Sequence, residues 1–292
     1  MLRYSKIVRK KVIIIGTGNL GTTLGLAFAQ KNYQVYAYDR DPKKLKAFYK
    51  LVPRPRFVTL PFSEVKLVFI TTKDDEIKKV YQEILPKLPS NCVVIHCSGA
   101  LDTSIFKQPS NKKIIPLSLH PIQTFCQPTP KANSFSNIYW GVEAQPETRK
   151  IARRIIKELG GQIIFLSSHK KPLYHLLLVF ASNYLVTLMA CVQTLGQKLK
   201  IRPRKLFSIV EPLITQTLWN IKKYGPQKSL TGPIVRGDLL TIKKHLEALK
   251  KQSPELLRIY SVLAEVTIKL TTVYPNKALL KILKQYTSSK IS

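Results

Sequence analysis

Residues 171–183 read KPLYHLLLVFASN, and they open a longer stretch, 173–197, that contains no Asp, Glu, Lys or Arg. Lys171 and His175 are four residues apart, so on a helix they share a face, and Ser182 and Asn183 follow about two turns later. Polar groups on an otherwise apolar helix need partners. Reduction of a carbonyl by hydride leaves an alkoxide that requires a proton and a nearby donor. His175 or Lys171 fits the general acid, and Asn183 fits the group that orients the carbonyl.

A hydride must come from somewhere, and the other end of the chain offers a holder for its carrier. In KVIIIGTGNLGTTLG, Gly16, Gly18 and Gly21 fit G-x-G-x-x-G. The triplet follows an apolar strand and opens a helix, with Asn19 and Leu20 inside the turn. Gly16 permits the tight turn, Gly18 lets a pyrophosphate approach the backbone, and Gly21 lets helix and strand pack closely. The helix start offers free N–H groups to phosphates. Asp39 ends the next strand, 18 residues after Gly21, where a carboxylate receives ribose hydroxyls. The expected cofactor is a nicotinamide dinucleotide. Asp39 favours NAD, whereas Arg40, Lys43 and Lys44 could hold the 2′-phosphate of NADP, and both stay open. Thr72 and Ser98, at the ends of two further strands, complete the expected cofactor-binding set.

Three other polar clusters compete for roles. VIHCSGALD places His96 and Ser98 at a strand end, and SLHPIQTF does the same for Ser118 and His120, the latter as a substrate contact. LTGPIVRGDL carries Arg236 and Asp238 in a Gly-Pro turn. Arg236 suits a substrate carboxylate and Asp238 beside it is a further substrate contact; the alternative is Asp238 as the N-cap of the following helix with Arg236 solvated. His169 and His245 read as surface residues. No His, Cys or acidic spacing suggests a metal.

Composition bounds the partners. The 292 residues suffice for two domains, and 45% hydrophobic content predicts a folded protein. Cys92, Cys97, Cys126 and Cys191 form no CxxC pair, which fits free thiols in a cytoplasmic setting. Forty-eight Lys and Arg against sixteen Asp and Glu give +32, but the bases are spread along the chain without a nucleic-acid motif, so no specific nucleic-acid partner is expected. The basic N-terminus, MLRYSKIVRKK, lacks a cleavage site and does not read as a signal peptide. The uncharged stretch 173–197 is long enough to span a bilayer, yet His175, Ser182, Asn183, Gln193 and Gln197 argue for burial within a domain or a homodimer.

The elements that must position these residues follow a clear order. Apolar runs at 12–15, 33–39, 65–72, 92–98, 112–120, 138–144 and 162–168 alternate with helical patterns, including one that starts with Asp41 as N-cap and Pro42 at its first position. They predict an α/β domain over 1–168 with a doubly wound, mainly parallel sheet. Residues 169–292 lack strand patterns and predict an all-helical domain, with periodic stretches at 172–200, 203–222, 238–251, 254–273 and 276–286. Residues 121–137 form a long Pro- and Ser-containing loop.

GTGNLGTTLG, HCSGALD, SLHPIQTF, YHLLLVFASNYLVTL and LTGPIVRGD together resemble the Rossmann-like proteins with a DUF2520 helical second domain, near the 6-phosphogluconate dehydrogenase-like reductases. The layout is similar to ketopantoate reductases and to prephenate or arogenate dehydrogenases. The resemblance implies that Lys171, His175 and Asn183 lie on the polar helix facing the nicotinamide. Ketopantoate reductases carry Lys and Asn one turn apart on that helix; here Lys171 and Asn183 are twelve residues apart with His175 between them. The expectation is an NAD(P)H-dependent reductase of a small 2-oxo acid, with 2-dehydropantoate first. The alternatives are a prephenate-type dehydrogenase and a non-catalytic nucleotide-binding protein.

Overall fold

The computed structural model describes residues 10–53, 60–107, 112–128, 134–271 and 277–287. The first nine residues of the basic N-terminus, residues 129–133 of the long loop and residues 272–276 of the helical region lie outside them. Seven strands form one sheet: β1 (Lys11–Ile15), β2 (Gln34–Tyr38), β3 (Leu67–Ile70), β4 (Cys92–His96), β5 (Ile114–Pro121), β6 (Tyr139–Glu143) and β7 (Gln162–Phe165). Their spatial order is β2-β1-β3-β4-β5-β6-β7. All neighbours are parallel except β5 and β6, which pair antiparallel with His120 opposite Gly141. No described helix separates those two strands in sequence, so the chain reverses there instead of crossing over.

Alternation along β1 shows how the sheet is covered. Val12 and Ile14 face a core built with Leu24, Phe28, Phe48 and Ile156 from α1 (Asn19–Gln30), α2 (Pro42–Leu51) and α4 (Arg149–Leu159). Ile13 and Ile15 face the opposite core, with Ile77, Tyr81 and Ile84 of α3 (Asp74–Ile84). Both faces are buried, which is why the strands read as continuous apolar runs rather than as alternating ones. The order reverses between β1 and β3, and this makes a crevice at their carboxyl ends.

The helical region continues with α5 (Lys171–Leu178), a π turn over Val179–Asn183, α6 (Tyr184–Lys198), α7 (Pro203–Ser229), α8 (Pro233–Arg236), α9 (Leu239–Gln252), α10 (Pro254–Leu270) and α11 (Lys277–Thr287). Gly225 breaks α7 with a positive φ just before Pro226. Ile242, Leu246, Ala264, Ile268, Leu279 and Leu283 form a separate core among α9, α10 and α11. The chain divides into two compact units, Met1–Asn183 and Tyr184–Ser292. The division falls later than the 168/169 boundary read from the sequence. The cause is physical: Lys171 and Tyr174 are buried, and each bonds to a residue of β5.

Ser168–Lys198 is long and apolar enough to cross a membrane by length and composition, and no residue of its most apolar window is buried. Burial of this stretch within its own chain, one of the expectations above, is therefore not what the fold provides.

Candidate functional site

The glycine turn shapes the first half of the site. Gly16 has φ +95°, and a Cβ there would stand 2.8 Å from the backbone of Thr71 and Thr72 at the end of β3. Only glycine permits that approach. Gly21 packs directly against the Gly16 carbonyl, whereas Gly18 faces open space. Gly16, Gly18, Asp39, Arg40, Lys44, Thr72, Lys73 and Glu76 line one cleft of about 540 Å³. Asn19 and Leu20 do not line it: the Asn19 amide donates to the Phe125 carbonyl at 2.8 Å, and Leu20 packs on the core. Burial pushes the Asp39 carboxyl up, but bonds from the Asp41 and Thr17 N–H groups and the Thr17 hydroxyl, with help from Lys44, outweigh it and hold the carboxyl below its ordinary range. Asp39 is thus an ionised, fixed acceptor at the end of β2. Arg40 is paired with Glu76 across the cleft.

Two features of this cleft fit a dinucleotide. The backbone at Gly18, which precedes the free N–H groups of the first turn of α1, is open to a phosphate. The Thr72 hydroxyl is buried without a hydrogen-bond partner on the cleft wall, where a bound polar group would satisfy it.

The end of β4 joins this cleft to α5. His96 is buried; it accepts from the Ser98 N–H at 3.3 Å through Nδ1, and its Nε2 faces the Asp102 carbonyl at 3.2 Å. Burial, and then the charge of Lys171, pull it down to about 3, so it is a neutral strut of the turn. The Ser98 hydroxyl donates to Asp74 at 2.6 Å and accepts from Ala100 and Leu101 N–H groups. It is committed to protein partners and does not line the cleft. Lys171 is 0% exposed; its ammonium donates to the Ser98 carbonyl at 3.1 Å and to the Ser118 hydroxyl. Burial brings it down to about 8, against the pull of Glu143 and Asp102. The sequence offered Lys171 as a candidate general acid, but the fold seals it beneath the strand ends.

His120 and His175 converge beyond this seal. Their ring centroids are 6.4 Å apart, and a Cβ on Gly99 would meet His175 at 2.7 Å and His120 Nε2 at 3.1 Å. Both rings need that bare backbone. With Gln123, Thr124, Leu178, Ser182 and Asn183 they line a pocket of about 280 Å³. The π turn is what aligns this set. In a regular helix, Asn183 would sit about 80° around from His175. The wide turn over Val179–Asn183 absorbs a residue and returns Asn183 toward the His175 stripe. His120 is pulled down to about 4 by burial and by the charges of Lys171 and His175. Its Nδ1 lies 2.8 Å from the Tyr174 hydroxyl.

Asp238 and Arg236 belong to the second unit. Asp238 caps α9 by accepting from the Thr241 N–H at 3.0 Å and the Thr241 hydroxyl at 2.7 Å, so the capping alternative describes its contacts. Arg236 is exposed at the end of α8. Among the described residues no group of three His, Cys, Asp or Glu side chains is placed to hold a metal ion. Sequence reasoning missed Tyr174, Gly99 and Glu76. An aromatic on an apolar helix reads as core, and an acid in a first helical turn reads as dipole compensation.

Comparison with known proteins finds two family models and a set of similar folds. Residues 11–99 match the family model "NADP oxidoreductase coenzyme F420-dependent", and residues 138–267 match DUF2520, a domain of unknown function. A candidate NADP oxidoreductase from Bacteroides fragilis superposes with a TM-score of 0.75 at 23% identity, over 89% of this chain and 98% of that one. A Thermotoga maritima protein matches at 0.65 and 25% identity, over 89% and 97%. A reductive aminase from Aspergillus terreus, solved with NADPH and ethyl-5-oxohexanoate, matches at 0.65 and 12% identity, over 94% and 99%. No curated protein matches the sequence.

Proposed function

We propose that this chain reduces the carbonyl of a small 2-oxo acid with His175 as proton donor. It is an NAD(P)-dependent oxidoreductase with a nicotinamide dinucleotide as cofactor. The bound nicotinamide supplies the hydride. Gly16, Gly18 and Thr72 hold the cofactor, and Asp39 receives its ribose.

The observation that carries the reading is the His120–His175 pair on a pocket of about 280 Å³, which also presents Ser182 and Asn183. A pocket of that volume suits a small substrate. His175 gives its proton to the developing alkoxide, while Asn183 and His120 orient the carbonyl. Lys171 makes its two bonds elsewhere and supports the turn that carries Gly99.

The test is loss of NADH or NADPH absorbance across a panel of 2-oxo acids, with 2-dehydropantoate first and a keto ester and a cyclic imine included. His175→Ala is expected to lower kcat by about 10²–10⁴-fold while cofactor affinity stays constant. A drop within about twofold overturns the assignment.

We also propose that the chain is a homodimer. Leu173 is 71% exposed, Leu177 62%, Val186 68% and Leu213 69%. In the second unit, Val186, Met189, Leu206 and Phe207 line an apolar groove of about 360 Å³. Apolar exposure of this extent needs a cover. On α7 it is interleaved with Arg204, Lys205 and Glu211, an arrangement that suits a second copy better than lipid.

A further inference from the structure

Tyr174 is buried on α5 and its hydroxyl sits over Gly141, which has no side chain to exclude it. Burial holds its phenol protonated well above the ordinary range. The hydroxyl therefore carries one proton, and a buried hydroxyl proton is expected to find an acceptor. Two polar groups approach it. One is the Gly141 N–H, which can only donate. The other is His120 Nδ1 at 2.8 Å, the one acceptor bonded to it among the described residues. The tyrosine must be the donor and Nδ1 the acceptor. A neutral imidazole that accepts at Nδ1 carries its proton on Nε2. That nitrogen faces Gly99 and the pocket shared with His175, and among the described residues no protein acceptor bonds to it.

We infer that Tyr174 is a positioning residue that locks His120 in the neutral, Nε2-protonated tautomer, so that His120 offers the pocket a hydrogen-bond donor rather than a base. The ligand it selects carries an acceptor, such as a carbonyl oxygen, at the reacting end. The inference builds on the proposed reductase reading. It divides the labour of the two histidines: His175 transfers the proton, and His120 polarises the bond without titrating. A fixed neutral donor at the site of developing negative charge needs no reorganisation during reaction.

The test reads the tautomer directly and needs no turnover. Long-range ¹H–¹⁵N correlation NMR on the ¹⁵N-histidine-labelled protein at pH 7, assigned by difference with His120→Asn, is expected to show His120 protonated at Nε2 and bare at Nδ1. Tyr174→Phe, which removes only the hydroxyl, is expected to convert that signature to a mixture of tautomers, with cofactor affinity unchanged as the check on folding. A wild-type His120 protonated at Nδ1, or charged, overturns the inference, whether or not the variant folds. So does a folded Tyr174→Phe with an unaltered His120 spectrum. If the wild-type tautomer is as expected but no carbonyl compound is reduced, the reductase reading fails and the lock stands.

Discussion

The ammonium of Lys171 donates to the carbonyl oxygen of Ser98 at 3.1 Å, which ties the first turn of α5 to the end of β4. The bond lies entirely inside the protein. It fixes the backbone just before Gly99, against which His120 and His175 pack.

That bond gives Lys171 a structural part. Lys171→Ala is expected to destabilise the protein by about 3 kcal/mol, because it opens a cavity and leaves a carbonyl and a hydroxyl without their donor. Lys171→Met, which refills the space, should cost less and should retain kcat within about tenfold. Urea titrations and steady-state assays check both. A fall in the Met variant as large as that of His175→Ala would move the proton donor back to Lys171.

The Arg40–Glu76 pair bears on cofactor choice. Glu76 occupies the one guanidinium that, among the described residues, lines the cleft and could meet a 2′-phosphate. Glu76→Gln should release it and tighten NADPH by about two- to fivefold, in keeping with the worth of exposed ion pairs, while NADH is unchanged. Fluorescence titration of both cofactors reads the ratio, and an equal change for both would remove Glu76 from cofactor selection.

Acid should weaken the fold through His120. Its native value is about 4 against an ordinary 6.5, so between those pH values the unfolded chain binds the extra proton and the native state does not. Stability is unaffected above pH 6.5 and falls as pH drops toward 4, by roughly 3 kcal/mol from this group. Unfolding free energies at pH 7 and pH 4.5 should show the loss. His120→Asn should flatten that slope, and a slope identical to wild type would contradict the burial of a neutral ring.

The exposed leucines should be covered in solution. Sedimentation equilibrium is expected to give twice the chain mass at micromolar concentration, and Val186→Glu combined with Leu213→Glu should shift it to the monomer. A monomeric wild type removes the dimer.

Much of this architecture was readable in the residues themselves. Apolar runs between helical patterns marked the seven described strands, most plainly β1, β3 and β4, which are buried on both faces. Asp41 read as an N-cap and is one, accepting from the Lys43 N–H, whereas at Asp238 the capping alternative rather than the expected substrate contact describes the bonds to Thr241. Helix α5 was less legible. Linear spacing put Lys171 on one face with His175, and nothing local records that this turn inserts under β4 and β5. The π turn is equally silent in a one-dimensional period, so the alignment of Asn183 with His175 was right for a reason that regular spacing does not supply. Tyr174 stayed hidden because its partner, His120, is 54 residues away and only the sheet brings them together.

The short segment from Ser98 to Gly99 is linked to the walls of both cavities through its neighbours. Its hydroxyl grips Asp74, at the start of the helix that walls the nucleotide cleft, while its carbonyl and the bare carbon after it support Lys171 and the two imidazoles. A ligand in one cavity that shifts this segment is expected to alter affinity in the other, and by thermodynamic reciprocity the factor is the same in both directions. Ordered binding, with the dinucleotide first, is the kinetic form that such linkage would take.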